Sequence, residues 1–283
     1  MIRVLKSGFY TSVQDLGRMY FQEYGVPYSG VMDQYAARVA NALLGNEENC
    51  AVMEITMTGP RLLFEHDTNI CISGADMSPM LNNKFIKTNR SISIAAGDVL
   101  SFGGLKYGFR CYLAVLGGFK TESVLRSQSM YKGITNRFVI KKEDVLSFSN
   151  ELKLLGKKNA SLKISQSHFN SKQIEVFEGP EFNQLSKSQQ TLLFSKSFTI
   201  SKDNSRMAYQ LEELLENDLK PILTSAVLPG TVQLTPSGKL IVLMRDSQTT
   251  GGYPRVLQLK ESAINKIAQK FTGHVINFEL LKY

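Results

Sequence analysis

The chain has 283 residues, of which 43% are apolar and 20% charged, and it contains 8 prolines. These fractions are typical of a globular protein with a proper core and exclude a disordered or fibrous chain. No apolar run approaches the roughly 20 residues that span a bilayer, and the first residues lack the features of a signal peptide. We therefore expect a cytoplasmic protein that does not use a membrane.

The net charge of +8 at pH 7 raises the question of a nucleic-acid partner. The 33 Lys and Arg residues are dispersed, and the densest cluster, from Lys153 to Lys172, has the composition of a linker. No nucleic-acid-binding motif accompanies it. We therefore expect no nucleic-acid partner, and the basic surface suits a small anionic substrate.

Cysteine and histidine positions predict no metal site. Cys50, Cys71 and Cys111 are widely spaced, and the last two lie in strand-like runs, as buried, reduced thiols do. The three histidines show no metal-ligand spacing.

The predicted elements are mostly short strands separated by turn residues, a pattern typical of barrels and sandwiches. In chain order the strand-like runs are residues 61–64, 69–73, 91–94, 110–115, 173–177, 232–234, 239–244 and 275–280. Two helices are predicted by apolar residues at helical spacing, over residues 33–44 and 262–271. Gly45 follows the first helix in the position of a C-cap.

The domain organisation follows from a polar, Lys-rich stretch over residues 149–173. We predict a first β unit over residues 1–150, a linker over 151–172 and a second β unit over 173–283. A weak internal repeat supports two related units, since the residues from Asp15 to Met19 recur in part from Asp203 to Met207.

The polar segment QTTGGYPR, residues 248–255, follows the strand-like run 240–244 and predicts a binding loop. Glycine permits close backbone approach, and Pro254 fixes the exit of the loop. A polar surface turn is the alternative. The candidate substrate-binding residues here are Gln248, Thr249, Thr250, Gly251, Gly252, Tyr253 and Arg255.

Three further segments have the same polar, glycine-punctuated character: TSVQDLGR at residues 11–18, GVPYSGVMD at 25–33 and SGAD at 73–76. Together with residues 248–255 and the runs GPRLLF and YLAVLGG, they resemble the family called allophanate hydrolase subunit 2, or biotin-dependent carboxyltransferase-like. The resemblance extends from Val4 to about Phe278. It implies a mostly-β fold of two related cyclophilin-like β-barrel units with a few helices.

The resemblance also implies site residues outside the loop. The additional substrate-binding candidates are Gln14, Arg18, Ser29, Gly30 and Arg206, and the catalytic candidates are Asp33 and Asp76. Arginine binds a carboxylate through two parallel hydrogen bonds. The alternative is that Arg18 and Arg206 pair with Asp15 and Asp203 to fix their loops.

The two aspartates also allow two interpretations each. Asp33 opens the predicted helix and could simply cap it, although the amino terminus of a helix also binds anions. Asp76 follows Ser-Gly-Ala at a strand end, where an aspartate commonly forms a turn; as a catalytic group it would act as a general base.

Familiar catalytic motifs are missing from the sequence. It has no G-x-x-x-x-G-K-[ST] phosphate loop, no biotin-attachment tetrapeptide and no amidase serine pattern. We therefore expect the chain to contribute part of a site, with no biotin attached to it.

The resemblance implies three functions. The preferred one is the C subunit of an ATP-dependent 5-oxoprolinase, which opens 5-oxoproline to glutamate with a companion of the inhibitor-like allophanate hydrolase subunit 1 family. ATP is then used by the complex. The alternatives are a carboxyltransferase component acting on urea or a similar acceptor, with biotin carried by another protein, and a non-enzymatic regulator that binds a kinase-inhibitor protein.

Overall fold

The chain forms two compact units in the computed structural model, which describes residues 1–149 and 161–282. The first unit comprises Met1–Arg18 and Ser29–Ser165, and the second comprises Met19–Tyr28 and Gln166–Tyr283. The division predicted from the sequence, with a linker over residues 151–172, stays a prediction. Residues 151–160 of that linker lie outside the described residues.

Two antiparallel sheets build the first unit. Its strands are β1 (Ile2–Lys6), β2 (Tyr10–Gln14), β3 (Val52–Thr56), β4 (Arg61–Phe64), β5 (Thr68–Asp76), β6 (Pro79–Leu81), β7 (Lys84–Phe85), β8 (Ile92–Ile94), β9 (Val99–Phe102), β10 (Tyr107–Val115), β11 (Phe119–Lys120) and β12 (Val145–Phe148). One sheet has the order β11-β12-β1-β4-β9-β6-β7 and the other has the order β2-β3-β10-β5-β8. Alternate residues of both sheets, such as Val4, Met53 and Leu113, meet in one apolar core.

Helix α1 (Gln34–Leu44) packs on β5 and β10 of the five-stranded sheet. It begins after Asp33, whose side chain accepts a hydrogen bond from the Ala36 amide, and it ends at Gly45, which has a φ of 73°. Gly45 closes the helix because a left-handed residue costs a glycine no Cβ clash. The helix predicted over residues 33–44 is confirmed.

The second unit is a closed barrel. Its strands are β13 (Gln173–Glu178), β14 (Phe198–Asn204), β15 (Ala208–Leu211), β16 (Ser225–Ala226), β17 (Thr231–Leu234), β18 (Leu240–Leu243), β19 (Thr250–Gly251), β20 (Arg255–Leu259) and β21 (Val275–Leu280). The barrel order is β13-β20-β17-β18-β15-β14-β21, and the short pair β16-β19 forms a separate two-stranded sheet. The barrel pairs are antiparallel except for β13 with β21, which run parallel with Ile174 opposite Phe278. Closure leaves the barrel no free sheet edge.

Three further helices lie in the second unit: α2 (Ser167–Asn170), α3 (Lys187–Ser195) and α4 (Glu261–Ile267). Helix α3 begins with a capping box, in which Ser186 and Gln189 bond each other's backbone amides. Helix α4 is shorter than the predicted 262–271, because the residues after Ile267 form turns that bring Lys270 to the carbonyl of Phe169.

The prediction of a mostly-β chain with barrel-like units and a few helices is confirmed. Most predicted strands appear within a residue or two of their expected ends. They correspond to β4, β5, β8, β10, β13, β17, β18 and β21, and the other strands were not predicted. Internal duplication stays a prediction. In the part of the chain that the structure describes, no helix is long and apolar enough to cross a membrane.

Candidate functional site

A cleft of about 540 Å³ opens on the second unit. Its walls come from the end of β14, the start of β15, and from Gln233 of β17 and Leu243 of β18. Two residues of the predicted binding loop, Gln248 and Tyr253, complete it. Tyr253 is 40% exposed, so its ring is accessible at the cleft.

The backbone of the loop is firmly held. Thr250–Gly251 forms β19 and pairs with Ser225–Ala226. On either side, the carbonyl oxygens of Thr249 and Gly252 each accept a hydrogen bond of 3.0 Å, from the amides of Val227 and Ile222. The loop is therefore an ordered flap against a second segment, and its role as a binding loop stays a prediction.

Arg255 attaches the flap to the barrel. Its Nε and Nη2 atoms donate to the two carboxylate oxygens of Glu181 at 3.0 and 2.8 Å, and its Nη1 donates to the Ala226 carbonyl at 2.9 Å. The hydrogen bonds from Arg255 lower the pKa of Glu181. This guanidinium serves the structure of the flap, and its substrate-binding role stays a prediction.

Arg206 forms a similar ion pair. Its Nε and Nη2 atoms lie 2.8 and 2.9 Å from the carboxylate oxygens of Asp246, and the Asp246 amide donates to the Arg206 carbonyl at 2.9 Å. The pair joins the β14–β15 turn to the segment after β18. Arg206 is 7% exposed. Its role in substrate binding also stays a prediction.

Two glutamine side chains at the cleft have unused hydrogen-bonding atoms. Over residues 1–149 and 161–282, Gln233 Nε2 and Gln248 Oε1 are buried and have no hydrogen-bond partner. Gln233 is 2% exposed. The sequence did not indicate Gln233, because a single glutamine in a short strand carries no motif.

In the first unit the segment TSVQDLGR clamps the loop over residues 124–130. Asp15 accepts hydrogen bonds from Ser127 Oγ at 2.7 Å, from Ser129 Oγ at 2.6 Å and from the Gln128 amide at 2.7 Å. Arg18 is fully buried and donates to the carbonyls of Val124 and Ser129.

Gln14 is also fully buried, and its Nε2 donates to Ser12 Oγ at 2.9 Å and to the Met130 carbonyl at 3.0 Å. Gln14 and Arg18 thus both hold the loop over residues 124–130. Their proposed contacts with substrate stay predictions.

The segment from Ser29 to Asp33 leads into helix α1 through left-handed backbone. Ser29 has a φ of 56° and Gly30 a φ of 84°. A Cβ on Gly30 would lie 2.8 Å from the Gly17 amide nitrogen, so only glycine fits this approach. Asp33 is fully buried, and its carboxylate accepts a hydrogen bond of 3.1 Å from the Ala36 amide. The structure thus shows the capping role of Asp33, and its catalytic role stays a prediction.

A buried polar cluster lies beside Asp33 and was not indicated by the sequence. Glu54 Oε2 accepts from the Met32 amide at 2.7 Å, and its Oε1 lies 3.8 Å from Arg110 Nε. The hydroxyl of Tyr112 accepts from the Asp33 amide at 2.8 Å, and burial raises the pKa of this tyrosine well above its ordinary value. These residues fix the entry of helix α1.

Asp76 lies at the end of β5 and shapes a turn. Its Oδ1 accepts from the Ser78 amide at 2.8 Å, and its Oδ2 lies 3.6 Å from Lys106 Nζ. Both Asp76 and Lys106 line a cleft of about 340 Å³ on the first unit. Asp76 and the segment from Ser29 to Asp33 belong to the first unit and residues 248–255 to the second. Their polar, glycine-punctuated sequences predict that these segments share one concave surface, and this stays a prediction.

The comparison with protein families covers most of the chain. Residues 24–280 match the family described as "Carboxyltransferase domain, subdomain A and B". The chain belongs to this family.

Individual members of this carboxyltransferase-domain family match over nearly all of the chain. It is 31% identical to the C subunit of 5-oxoprolinase from Escherichia coli (strain K12), over 98% of this chain and 90% of that one. It also superposes on the K. lactis urea amidolyase structure with a TM-score of 0.88 and 28% identity, covering 99% of this chain but 19% of that one. The crystal structure of TTHA0988 gives a TM-score of 0.88 at 26% identity, and the chain spans 55% of it.

These matches confirm the family predicted from the sequence motifs. Among the described residues no group of three or more His, Cys, Asp or Glu side chains could hold a metal ion. Cys71 and Cys111 are free and buried, and burial raises the pKa of the Cys71 thiol to about 12. The prediction of buried, reduced thiols at these two positions is confirmed.

Proposed function

We propose that this chain is the C subunit of an ATP-dependent 5-oxoprolinase and contributes part of the site that opens 5-oxoproline to glutamate. The match to the C subunit of the Escherichia coli 5-oxoprolinase, over 98% of this chain and 90% of that one, carries the proposal. A Haemophilus influenzae protein of the same name supports it, at 30% identity over 99% of this chain.

The reaction breaks the lactam C–N bond. Water supplies a hydroxyl group to the carbonyl carbon and a proton to the nitrogen, which becomes the amine of glutamate. An unstrained amide resists this addition, and ATP supplies the activation in the complex. This chain's contribution is to bind and orient the ring, since correct placement of reactants removes much of the entropic barrier.

The ATP site belongs to a partner in this proposal. The cleft of the second unit offers neutral amides and the single lysine Lys202, and its lining among the described residues includes no glycine-rich phosphate loop. The partner is a companion of the inhibitor-like allophanate hydrolase subunit 1 family. Both relatives are named as one lettered subunit of 5-oxoprolinase, which supports an assembly of several subunits.

A reconstitution experiment tests the proposal. Glutamate release from 5-oxoproline and ATP is measured with the purified chain, with the companion subunits and with both together. We expect release only from the mixture. Full activity of this chain alone, or none from any mixture, would contradict the proposal.

A second candidate function is carboxyl transfer to urea or a similar acceptor. The likeness to the K. lactis urea amidolyase structure favours it. It predicts that the chain, with a biotin-carrying partner, transfers labelled carboxylate from carboxybiotin to urea. The same mixture should then release no glutamate from 5-oxoproline.

A further inference from the structure

We propose that the cleft of the second unit recognises a cis amide, an N–H group beside a carbonyl oxygen, through Gln233 and Gln248. Gln233 Nε2 would donate to the ligand carbonyl, and Gln248 Oε1 would accept from the ligand N–H. This inference deepens the proposed function by naming the residues that bind the lactam, and it rests on that function for the identity of the ligand.

The donor is provided by Gln233 on strand β17. The residue is 2% exposed, yet its side chain lines the cleft and its Nε2 has no partner in the described part of the chain. Buried polar atoms are almost always hydrogen-bonded, and an unused one in a cleft points to a ligand atom. A side-chain amide nitrogen carries two N–H donors, which suit a carbonyl oxygen.

The acceptor is provided by Gln248 on the loop that leads into the flap. Its Oε1 is buried, lines the same cleft and has no partner among the residues described. The two glutamines therefore do not satisfy each other. One offers a donor and the other an acceptor, which is the complement of an amide group.

The geometry of the ligand amide follows from its ring. A secondary amide in an open chain is trans, so its N–H and C=O point in opposite directions. A five-membered lactam is forced to be cis and presents both groups on one edge. Two side chains that border the same cleft are suited to contact both groups of a lactam, or of urea, but not both groups of a trans peptide.

Gly251 makes room for the donor. A Cβ at this position would collide with Gln233 Nε2. Position 251 of the flap therefore requires glycine, because its backbone closely approaches the Gln233 amide. Replacement by alanine should displace this amide.

Charged groups do not dominate the cleft. Lys202 and Asp203 both line it, both are exposed, and their charges oppose each other. We therefore expect the amide, and not a carboxylate on the ligand, to supply most of the recognition.

The first test uses neutral small molecules and the unmodified full-length chain. Binding of 2-pyrrolidinone, N-methyl-2-pyrrolidinone and cyclopentanone is measured by ligand-observed NMR titration. N-methyl-2-pyrrolidinone lacks the N–H and cyclopentanone lacks the amide nitrogen. We expect 2-pyrrolidinone to bind at least about 10-fold more tightly than either, because a site built for hydrogen bonds rejects ligands that leave its groups unpaired. Equal binding of all three, or no binding of 2-pyrrolidinone, would overturn the inference.

The second test uses variants with the same probe. Gln233→Glu keeps the shape but removes the donor and should weaken 2-pyrrolidinone binding about 10-fold or more. Gln248→Glu keeps an acceptor and should change the affinity for 2-pyrrolidinone by less than about 3-fold. Gln248→Met removes the acceptor and should weaken the binding of 2-pyrrolidinone about as much as Gln233→Glu does. Gln173→Glu, on an exposed strand position outside the cleft, is the matched control. Gly251→Ala gives an independent readout should Gln233→Glu fail to fold, and it should also weaken binding about 10-fold.

Turnover by the assembled complex separates this inference from the proposed function. We expect Gln233→Glu and Gly251→Ala to raise KM for 5-oxoproline with a smaller change in kcat. Turnover with an unchanged KM in both variants would overturn the inference and leave the function standing. Gln233-dependent binding of 2-pyrrolidinone in a chain whose complex never opens 5-oxoproline would overturn the function and support the inference.

Discussion

The polar residues around Asp15 in the first unit and those around Gln233 in the second have similar composition but different hydrogen bonding. Asp15 receives four donors, including the Gly17 amide at 2.8 Å. Gln233 Nε2 and Gln248 Oε1 have no partner within residues 1–149 and 161–282. A buried carboxylate with four donors, such as Asp15, stabilises the fold, whereas a buried polar atom that is left unpaired beside a cleft suits a ligand.

The comparison predicts different consequences of mutation. Changes in the bonded clusters should reduce stability first, and changes at the cleft should reduce binding first. The expected effects on stability below run from the largest to the smallest.

The largest loss is expected for Asp15→Ala. Four donors lose their acceptor at a site that is 4% exposed, and unpaired buried donors are costly. We expect the free energy of unfolding to fall by about 3 kcal/mol, measured by urea denaturation. Asp203→Ala, at the exposed position that the sequence repeat pairs with Asp15, should change it by about 0.5 kcal/mol or less. Equal losses would show that the two aspartates contribute equally to stability.

The next loss is expected at the ion pair of Arg255 with Glu181, whose side chains are 18% and 12% exposed. Arg255→Ala should cost about 2 kcal/mol, because it leaves a partly buried carboxylate without its donors. A change at an exposed loop residue usually alters stability by within about 0.5 kcal/mol. The observed pairing with Glu181 makes the expected cost of Arg255→Ala larger. An unaltered melting temperature would show that the pair contributes nothing.

The same pair has a pH signature. Arg255 lowers the pKa of Glu181 from its ordinary value of 4.5 in the folded state. The stability from this group is therefore present above pH 4.5 and is lost as the pH falls through the lowered pKa. As the pH is lowered from about 6 to about 3, the urea concentration at the midpoint of unfolding should fall less steeply in Glu181→Gln than in the unmodified chain. If the two chains showed parallel plots of this midpoint against pH, the acid loss of stability would not come from Glu181.

A buried lysine gives an effect of the same sign in the alkaline range. Lys270 is 3% exposed, its Nζ donates to the Phe169 carbonyl at 2.6 Å, and burial lowers its pKa from 10.5 to about 8. Between these two values the unfolded chain binds more protons than the folded one, so this group makes stability rise with pH. We expect the rise between about pH 8 and pH 10.5 to be smaller in Lys270→Met. Identical slopes would mean that Lys270 stays charged throughout.

The smallest effect on stability is expected for Tyr253→Ala. Its side chain is 40% exposed at the cleft, so the free energy of unfolding should change by about 0.5 kcal/mol or less. Activity of the reconstituted complex should nevertheless fall several-fold, because the ring forms part of the cleft wall. Tyr24→Ala, which is 74% exposed and lies outside the cleft, serves as control. A large drop in melting temperature for Tyr253→Ala would show that the loop residue is structural.

Local patterns in the sequence predicted much of the fold. The helix over residues 33–44 was predicted because its apolar spacing, its cap and its closing glycine are all local signals. Four strands of the second unit, β13, β17, β18 and β21, were predicted by apolar runs. In the first unit β2 was not predicted, since its sequence YTSVQ is largely polar although four of its five residues are buried. The loop over residues 248–255 was also predicted from local composition.

The sequence by itself determined the family, the mostly-β class and the loop over residues 248–255 as a segment. Only the tertiary structure decided which polar residues of that segment and its neighbours are hydrogen-bonded within the fold. Asp15 meets Ser129 across 114 positions, Arg255 meets Glu181 across 74, and Arg206 meets Asp246 across 40. Strand register and packing bring such partners together, and no local pattern encodes them. For the same reason the sequence could not reveal that Gln233 lines the cleft and that its buried Nε2 has no partner among the described residues.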